Sequence, residues 1–348
     1  MPYTEILTGA GVTNERFDKS IFKEYIGQLW WKNKMGTSPQ SVIQVKDDLT
    51  KQPGDAITIN LRGQMQGGKV TGNSTGIGNE GRVDFFAQRL TVDNVRHLIR
   101  IDDVPMTTKR VGFDALMEAK DALVVKAQED LDDAVTTALS DTATGRVRGR
   151  YLYGAADSNW NATHATALTN IDGVADMLTT SMIDIAKRKA LIPIVATAKI
   201  MPTKIKNGEN YEEWFCFVGH TYAIRDMIIN DASWKNAQLN IPPSSNSSSP
   251  LFTGSSFKGA WNGTLIYEYD RINLVASTIQ CTHNFLLGAQ AAAVVWGQRS
   301  KFGEEEGDVG HRVTYETHEI RGVNKLVFDR TTPEDQGIVH VFSAAVAD

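Results

Sequence analysis

The chain has 348 residues, of which 41% are hydrophobic and 22% are charged. These values are ordinary for a globular protein with room for about two domains. The net charge of −5 argues against a protein whose main task is to grip nucleic acid, since such proteins carry a basic excess or a basic stripe. No apolar run approaches the roughly 20 residues of a membrane helix, and the first residues lack a signal-peptide pattern. We therefore expect no membrane association.

The N-terminal part of the chain predicts an arm followed by a helix. Residues 1–13 are weakly patterned, as in an extended arm. Asn14 can cap a helix that runs to about Lys32, because apolar residues from Phe17 to Leu29 recur at helical spacing. This stripe packs either into the core or onto a second subunit. Residues 41–49 are expected to be extended.

A long hairpin organises the chain. Apolar and polar residues alternate from Ala56 to Arg62, which predicts a strand with one buried face. A glycine-rich tip follows, and the chain returns through residues 83–86 and a second alternating run over 90–103. An isolated hairpin is marginal in water, and its unpaired edges invite pairing with another chain. We therefore infer that this arm packs on a neighbouring subunit.

The strongest helical pattern runs from Gly112 to Ser140. Lys120 is the one polar residue in its apolar stripe, and the carboxylates of the remaining surface are expected to be solvated. The predicted stripe consists of Phe113, Leu116, Leu123, Ala127, Leu131, Ala134 and Ala138.

The remainder mixes strands and helices without a regular strand–helix–strand rhythm, which indicates an α+β fold. Arg146, Arg148 and Arg150 alternate, so they could face phosphate, belong to a solvated strand edge or contact another subunit. The serine-rich run 242–250 predicts a mobile loop tip. Helices are predicted over 172–190 and 221–230, strands over 191–195, 212–218, 264–271, 279–287, 313–317 and 324–328, and a turn or helix over 288–295; no element type is assigned to the last segment, 337–345.

No sequence motif for catalysis is present: there is no phosphate-binding loop, nucleophile elbow or His-Glu-x-x-His pair. Cys216 and Cys281 lie in separate apolar runs and are expected to be buried thiols in a reducing compartment. We expect no enzyme activity, no cofactor and no metal.

One acidic cluster allows an alternative. Glu304, Glu305, Glu306 and Asp308, with His311 close by, could ligate a hard cation if they lay on a flexible loop, as in a metal-dependent hydrolase. Consecutive acids point in different directions, however, and the spacing matches no calcium loop. A solvated segment or a salt bridge between subunits is therefore the favoured interpretation.

The hairpin tip is crowded with polar residues, namely Lys69, Asn73, Asn79 and Glu80. A lysine and an asparagine beside a carboxylate could form an isopeptide bond. The same residue types are simply common in turns, and this is the favoured interpretation.

Several motifs, taken in order, resemble those of tailed-bacteriophage major capsid (coat) proteins with the Hong Kong 97-type fold, most of all those of the coliphage N-four group. One departure is Gly81, where a second acid is expected after Glu80; the serine-rich run is another. The motifs are residues 78–80, 92–105, 115–133, 285–291, 302–308 and 320–328.

The resemblance implies a fold and a domain plan. The expected domains are an N-terminal arm (1–50), an E-loop hairpin over an adjacent subunit (51–105), a peripheral domain (106–165) with a spine helix (112–140), an axial domain (166–295), return strands of the peripheral domain (296–330) and a C-terminal segment (331–348).

The resemblance also implies a function. The chain would assemble with itself into pentameric and hexameric capsomers of an icosahedral head around double-stranded DNA. It would contact this DNA without reading its sequence. Further expected partners are a scaffolding protein, a portal and a decoration protein, and the expected location is the virion, with assembly in the host cytoplasm. A nanocompartment shell of the encapsulin type is the alternative. The expected inter-subunit contacts are Arg62, Gln64, Lys69, Asn79, Glu80, Arg82, Glu304, Glu305, Glu306 and Asp308.

Overall fold

A computed structural model gives the architecture. The predicted N-terminal helix and serine-rich loop, the helix start at 112–114 and most of the predicted strand 191–195 lie outside the described residues. The structure describes residues 30–50, 54–105, 115–192, 198–207, 210–239, 256–328, 330 and 332–345.

Strands dominate the described part of the chain, and helices are interspersed, which confirms the α+β prediction. The helices are α1 (Ala115–Ser140), α2 (His164–Thr169), α3 (Thr180–Leu191), α4 (Thr221–Asn230) and α5 (Ala232–Leu239). The strands are β1 (Met35–Gly36), β2 (Ile43–Lys46), β3 (Ala56–Arg62), β4 (Phe85–Thr91), β5 (Asp93–Asp102), β6 (Tyr151–Tyr153), β7 (Thr203–Asn207), β8 (Asn210–Gly219), β9 (Phe257–Trp261), β10 (Thr264–Glu268), β11 (Leu274–Ala276), β12 (Gln280–Leu287), β13 (Ala292–Gly307), β14 (Arg312–Lys325) and β15 (Ile338–Ala344).

These strands form three sheets. A five-stranded sheet has the order β1-β2-β13-β14-β5, and an eight-stranded sheet follows the path β6-β15-β12-β8-β10-β9 with β11 beside β12 and β7 beside β8. The third sheet is the predicted arm, in which β3 pairs only with β4. The second alternating run of the hairpin region, β5, pairs with β14 instead. The arm therefore separates from the body at residue 92, between β4 and β5.

Helix α1 covers one face of the five-stranded sheet. Leu123 and Val124 pack there with Phe302, Val313 and Tyr315. Further along, Ala127 and Leu131 from the predicted stripe enter the central core. The stripe then continues through Val135 and Leu139, which are buried, whereas the predicted Ala134 and Ala138 are only partly buried. The buried residues of α1 recur every four positions, because this row of side chains is the one that packs against the sheet.

The expectation of a solvated carboxylate face on α1 is wrong for several members. Asp132 is buried and accepts a hydrogen bond from the Trp30 backbone N–H at 3.3 Å. Burial raises the pKa of this carboxyl group. Glu129 pairs with Arg271 at 2.9 Å, and Asp130 pairs with Arg321. Charges on this side of the helix join it to the sheets.

A buried ionic network lies where β14 meets the eight-stranded sheet. Lys325 Nζ lies 2.8 Å from Asp335 Oδ1, and the other carboxylate oxygen lies 3.2 Å from His340 Nε2. His340 Nδ1 is 2.8 Å from His283 Nε2. Burial lowers the pKa of both imidazoles. Both histidines are therefore held neutral between strands β12 and β15.

The alternating arginines have internal partners, so none of the three predicted roles is needed to explain them. Arg150 is fully buried and lies 3.8 Å from Glu334. Arg148 pairs with Asp157 at 3.1 Å. Arg146 donates to the Tyr153 hydroxyl at 3.0 Å. Both cysteines are free and buried, as predicted.

Three local predictions are corrected by tertiary structure. Residues 292–295, expected in a turn or helix, begin the buried strand β13. The helix expected over 172–190 is broken into a short 3₁₀ turn and α3, because Met177 forms a bridge with Ala344 in the sheet. The strand expected over 313–317 continues to Lys325 as β14, so only residues 324–325 of the strand expected over 324–328 belong to a strand.

Candidate assembly surfaces

The root of the arm is an amphipathic two-stranded ribbon. Strands β3 and β4 pair in register from Ala56–Thr91 to Arg62–Phe85. One face carries the apolar residues of both strands, and this face packs on Ala293, Val295 and Phe328 of the body. This is the face that alternation predicted to be buried. The opposite face, with Thr58 and Asn60, is exposed.

One polar side chain on the buried face clamps the root to the body. Gln88 donates from Nε2 to the Lys325 carbonyl at 3.0 Å and accepts from the Val327 N–H at 2.8 Å. Its amide thus satisfies one backbone acceptor and one backbone donor. Beside it, the chain passes so close to Gly322 that a Cβ there would lie 2.1 Å from the Thr91 carbonyl oxygen. The Gln88 hydrogen bonds hold the root on the body, and the missing side chain at Gly322 lets the Thr91 backbone come this close.

Beyond Arg62 the regular ladder ends. Gln66 and Arg82 form one isolated antiparallel bridge, with two backbone bonds of 2.7 Å. The tip (residues 63–84) is otherwise held by local bonds, such as Gly78 N–H to Glu80 Oε2 at 2.8 Å and Asn79 Nδ2 to the Thr75 carbonyl at 3.0 Å. Within the described chain these bonds hold the tip's own shape and do not attach it to the body.

The tip and the end of the ribbon expose large apolar side chains. Met65 is 64% exposed, Ile77 is 84% exposed and Phe85 is 72% exposed. Several large, exposed apolar side chains on one element are typical of a protein interface rather than of a solvated loop. The arm thus has the composition of a surface that a partner covers.

The predicted contact residues fall on two different hairpins. Arg62 ends β3, and Gln64, Lys69, Asn79, Glu80 and Arg82 lie exposed on the tip. Arg82 pairs with Asp84 at 2.6 Å. The four acids lie instead on the late hairpin, formed by β13 and β14. The sequence analysis did not single out Gln88 or Phe85. A usable signal existed for Gln88, because it is a polar residue between Phe86 and Leu90, whose side chains face inward.

The late hairpin is a different object from the arm. Its strands pair from Ala292–Lys325 to Gly307–Arg312, and β5 continues the ladder on the far side of β14. The acids Glu304, Glu305 and Glu306 belong to β13, so they do not lie on the flexible loop that the metal-site alternative requires. Their side chains alternate between the two faces because successive residues of a strand point to opposite sides.

The acidic cluster does not form a metal centre. Glu304 lies 3.7 Å from Lys120, whose ammonium group also lies over the Tyr315 ring. Lys120, the polar interruption of the helix stripe, therefore reaches out to a carboxylate. Among the residues that the structure describes, no group of three or more histidine, cysteine or acidic side chains could hold a metal ion. The geometry thus gives no support to the hydrolase alternative.

The described helices do not meet the requirements of a membrane span. None of them is both long enough and apolar enough to cross a bilayer.

Comparison with known proteins identifies the family. A family model described as phage capsid protein matches residues 8–347. No curated protein matches the chain. Among solved structures, the capsid asymmetric unit of cyanophage Pam1 is 25% identical, with a TM-score of 0.78 over 91% of this chain and 92% of that one.

Two further capsid structures share the fold at lower identity. The capsid of Ralstonia phage GP4 is 20% identical, with a TM-score of 0.75 over 92% of both chains. The capsid of Helicobacter pylori bacteriophage KHP30 is 13% identical, with a TM-score of 0.67 over 89% of both chains. These similarities confirm the predicted Hong Kong 97-type fold. Since the family model spans nearly the whole sequence, the chain belongs to the phage capsid protein family and is a major capsid protein of the virion shell.

Proposed function

We propose that this major capsid protein closes into pentameric and hexameric capsomers through its arm, which lies over an adjacent subunit. The observation that carries the proposal is the exposed apolar tip: its large side chains lack a cover within the described chain, and its ladder stops at one isolated bridge. Each copy that accepts an arm also offers one, so the contact is heterologous and can close rings. Many weak contacts then sum to a stable shell.

The domain plan is proposed on the same basis. The arm between β3 and β4 serves as the E-loop (51–105), and α1 serves as the spine helix of the peripheral domain. The axial domain is proposed to lie within 166–295, and it draws support from the strands of the eight-stranded sheet in that range. Strands β6 and β15, from outside that range, join the same sheet. The proposed N-terminal arm (1–50) contributes β1 and β2 to the other sheet.

The contact residues predicted on the tip and late hairpin are proposed to act between subunits. Arg62, Lys69 and Arg82 on the tip are cationic, while Glu305 and Glu306 on the late hairpin are anionic. All five are exposed, so they are available to partners. Their pairing across subunits would set orientation and specificity more than affinity.

The wider partners are proposed by family analogy. They are a scaffolding protein, a portal, a decoration protein and the enclosed double-stranded DNA, with assembly in the host cytoplasm. The net charge of −5 favours weak, non-specific contact with DNA. We also propose that the chain has no catalytic activity and that it is nearest to the coat proteins of the N-four group, which the order of its motifs supports.

Negative-stain electron microscopy of the protein, expressed alone and with a scaffolding protein of the same phage, tests the proposal. We expect closed shells, rings or tubes of uniform wall thickness. Replacing residues 67–81 by a two-residue Asn-Gly turn should abolish these particles while leaving the circular dichroism spectrum and unfolding midpoint unchanged, since the tip contributes little to the core.

A matched control keeps the tip and removes an unrelated exposed charge. Lys235→Ala on α5 should leave assembly intact, because this residue lies on another element. A wild-type chain that stays monomeric or dimeric with and without the scaffolding protein would contradict the proposed function. Particles formed by the tip deletion would contradict only the role of the arm.

A further inference from the structure

A cavity of about 820 Å³ lies between the two larger sheets. Met35 of β1 lines it from the five-stranded sheet, while Thr203 of β7 and Leu265 of β10 line it from the eight-stranded sheet. The volume falls within the range of roughly 300–1,000 Å³ that is typical of small-molecule sites. None of the described residues that line it belongs to the arm or to the late hairpin, so the cavity is separate from the candidate assembly surfaces.

Part of the cavity wall is apolar and can be reached from solvent. Val42, Phe215 and Leu265 belong to this part. Ile205 and Tyr211 also line the cavity and are 41% and 65% exposed, so the cavity is open to solvent on their side. Such a wall can cover the apolar body of a ligand that enters from water.

One cation lines this cavity without an anionic partner. Lys34 ends the 3₁₀ turn Trp30–Lys34, and its ammonium nitrogen lies 3.7 Å from the centre of the Trp30 ring and 4.1 Å from that of the Tyr267 ring. The ring faces attract the cation but do not replace the hydrogen bonds of an anion. In the described part of the chain, this ammonium group forms no hydrogen bond and no carboxylate lies within 4.0 Å of it.

The acidic groups nearest in their influence do not neutralise Lys34. Burial raises the pKa of the Cys216 thiol to about 11, so this neighbour is a neutral thiol. Asp132 accepts the Trp30 backbone N–H instead. Burial is the largest influence on Lys34 and lowers its pKa. A half-buried ammonium group of this kind gains from an anion that enters the cavity.

A second polar group of the same cavity also lacks a partner. The Thr203 hydroxyl oxygen is buried and forms no hydrogen bond within the described chain. Buried hydroxyl groups are normally hydrogen-bonded, so an unpaired one indicates a missing partner. Thr203 lies in β7, whereas Lys34 directly precedes β1. Two unpaired polar groups from different parts of the fold therefore line one cavity.

The composition of the wall selects the class of ligand. A polyanion such as DNA is held by several cations, but the second lysine of this wall, Lys204, already pairs with Glu213 at 3.8 Å. A metal ion would be repelled by the unpaired ammonium group of Lys34. One carboxylate on an apolar body matches one unpaired cation, one unpaired hydroxyl group and an apolar wall.

We propose that this cavity binds a small organic carboxylate with an apolar body. The carboxylate pairs with Lys34 and accepts a hydrogen bond from the Thr203 hydroxyl group, and the apolar body lies against Phe215 and Leu265. Because these contacts come from both sides of the cavity, a bound ligand ties the two larger sheets together. The site goes beyond the proposed function and does not depend on the arm.

Isothermal titration calorimetry of the full-length, unassembled protein tests the site with two probes, octanoate and octanamide. They share one apolar body, and only octanoate carries a charge. We expect one octanoate to bind per subunit and to bind at least about tenfold more tightly than octanamide, because only the carboxylate pairs with the ammonium group.

Variants of the two unpaired groups locate the contact. Lys34→Gln should weaken octanoate binding by about tenfold and leave octanamide binding unchanged, whereas Lys34→Arg should retain the preference for octanoate. Thr203→Val should weaken octanoate binding by about threefold to tenfold, since a hydrogen-bond donor is lost. Lys32→Gln is the matched control: it removes the same charge from an exposed position of the same turn and should bind both probes as the wild type does. Circular dichroism and the unfolding midpoint check that each variant is folded.

The preference for octanoate over octanamide is the deciding measurement. Equal binding of the two probes by the wild type would overturn the carboxylate site, and so would the binding of neither at several millimolar. A preference that survives in Lys34→Gln, or that Lys32→Gln loses to the same extent, would overturn the role of Lys34. The measurement uses unassembled protein, so its failure would leave the proposed capsomer contacts untouched, and a failure of the arm variants would leave this site untouched.

Discussion

The arm and the late hairpin are both long antiparallel ribbons, yet they differ in what supports them. The late hairpin is flanked by β2 and β5 and is covered by α1 on one face. In the part of the chain that the structure describes, no strand pairs along either outer edge of the arm and the arm packs on the body at its root. Phe85 at the end of β4 and Ile77 in the tip are exposed. A ribbon completed within the subunit serves the fold, whereas a ribbon left incomplete needs a partner.

Backbone strain shows the opposite difference, with less of it in the arm tip than in the turn of the late hairpin. The arm tip uses glycines where φ is positive, at Gly67, Gly72 and Gly78, so its turns carry little strain. The turn of the late hairpin instead has positive φ at two residues that are not glycine, Asp308 and Val309. Backbone strain from positive φ is therefore concentrated in the turn of the late hairpin and not in the tip of the arm.

The largest expected contrast comes from one aromatic residue in each ribbon. Tyr315→Ala in β14 should lower the free energy of unfolding by about 3–5 kcal/mol, because a buried ring stacked on Phe302 is removed. Phe85→Ala in the arm should change it by less than about 0.5 kcal/mol but should impair assembly. Urea unfolding of the unassembled protein measures both, and equal losses would end the distinction between the ribbons.

Acid should weaken the eight-stranded sheet, where β12 and β15 pair, before it affects the arm. Burial lowers the folded-state pKa of His283 and His340, so the unfolded chain binds protons first as the pH falls below about 6.5. His164, near the same aromatic cluster, has its pKa lowered to about 4, chiefly by burial. This stability is therefore present above pH 6.5 and is lost as the pH falls from 6.5 towards 4.

Unfolding free energies measured at pH 7.5, 6 and 5 test this dependence. Each fully buried imidazole contributes at most about 2 kcal/mol of loss between pH 6.5 and 5. Lys325, Asp335, Asp141 and Tyr151 face the pair, and the cation Lys325 opposes protonation while the carboxylates favour it. His311→Gln in the exposed turn is the control and should keep the wild-type profile. A profile that is flat down to pH 5 would contradict the buried neutral pair.

The smallest expected effect lies at the arm root. Gln88→Ala should lower the unfolding free energy by about 1–3 kcal/mol, because it leaves the Lys325 carbonyl and the Val327 N–H without their partner. Amide exchange in β3 should accelerate, since the ribbon loses its clamp. Arg89→Ala, which removes only the exposed pair with Asp55, is the matched control and should change neither. Unchanged exchange in the first variant would show that apolar packing alone holds the root.

Local sequence patterns predicted the bounds of an element correctly where the spacing of its apolar residues matched one buried face. Strand β3 has the predicted bounds, Ala56–Arg62, and so does helix α4, Thr221–Asn230. The exposed positions of the tip residues followed from composition, because glycine and short polar residues cannot bury a surface. The resemblance to capsid proteins likewise depended on the order of several motifs, and the family match confirms that resemblance.

Longer-range features were beyond those patterns. The sequence predicted that β3 needs a partner, but not that β5 would leave the arm and pair with β14, since strand pairing depends on neighbours more than 200 residues away. Asp132 looked like a surface acid until Trp30 was placed against it. His283, His340 and Asp335 carry no shared motif and meet only because β12 and β15 are adjacent.

The sequence by itself therefore determined the α+β class, the two-stranded arm, the long helix α1 and the capsid family. Only the tertiary structure decided which acids are in strands, which charges are buried and which turn is strained. The physical reason is that periodicity reports the faces of single elements, whereas burial, ion pairing and backbone strain are set by elements that meet across the fold.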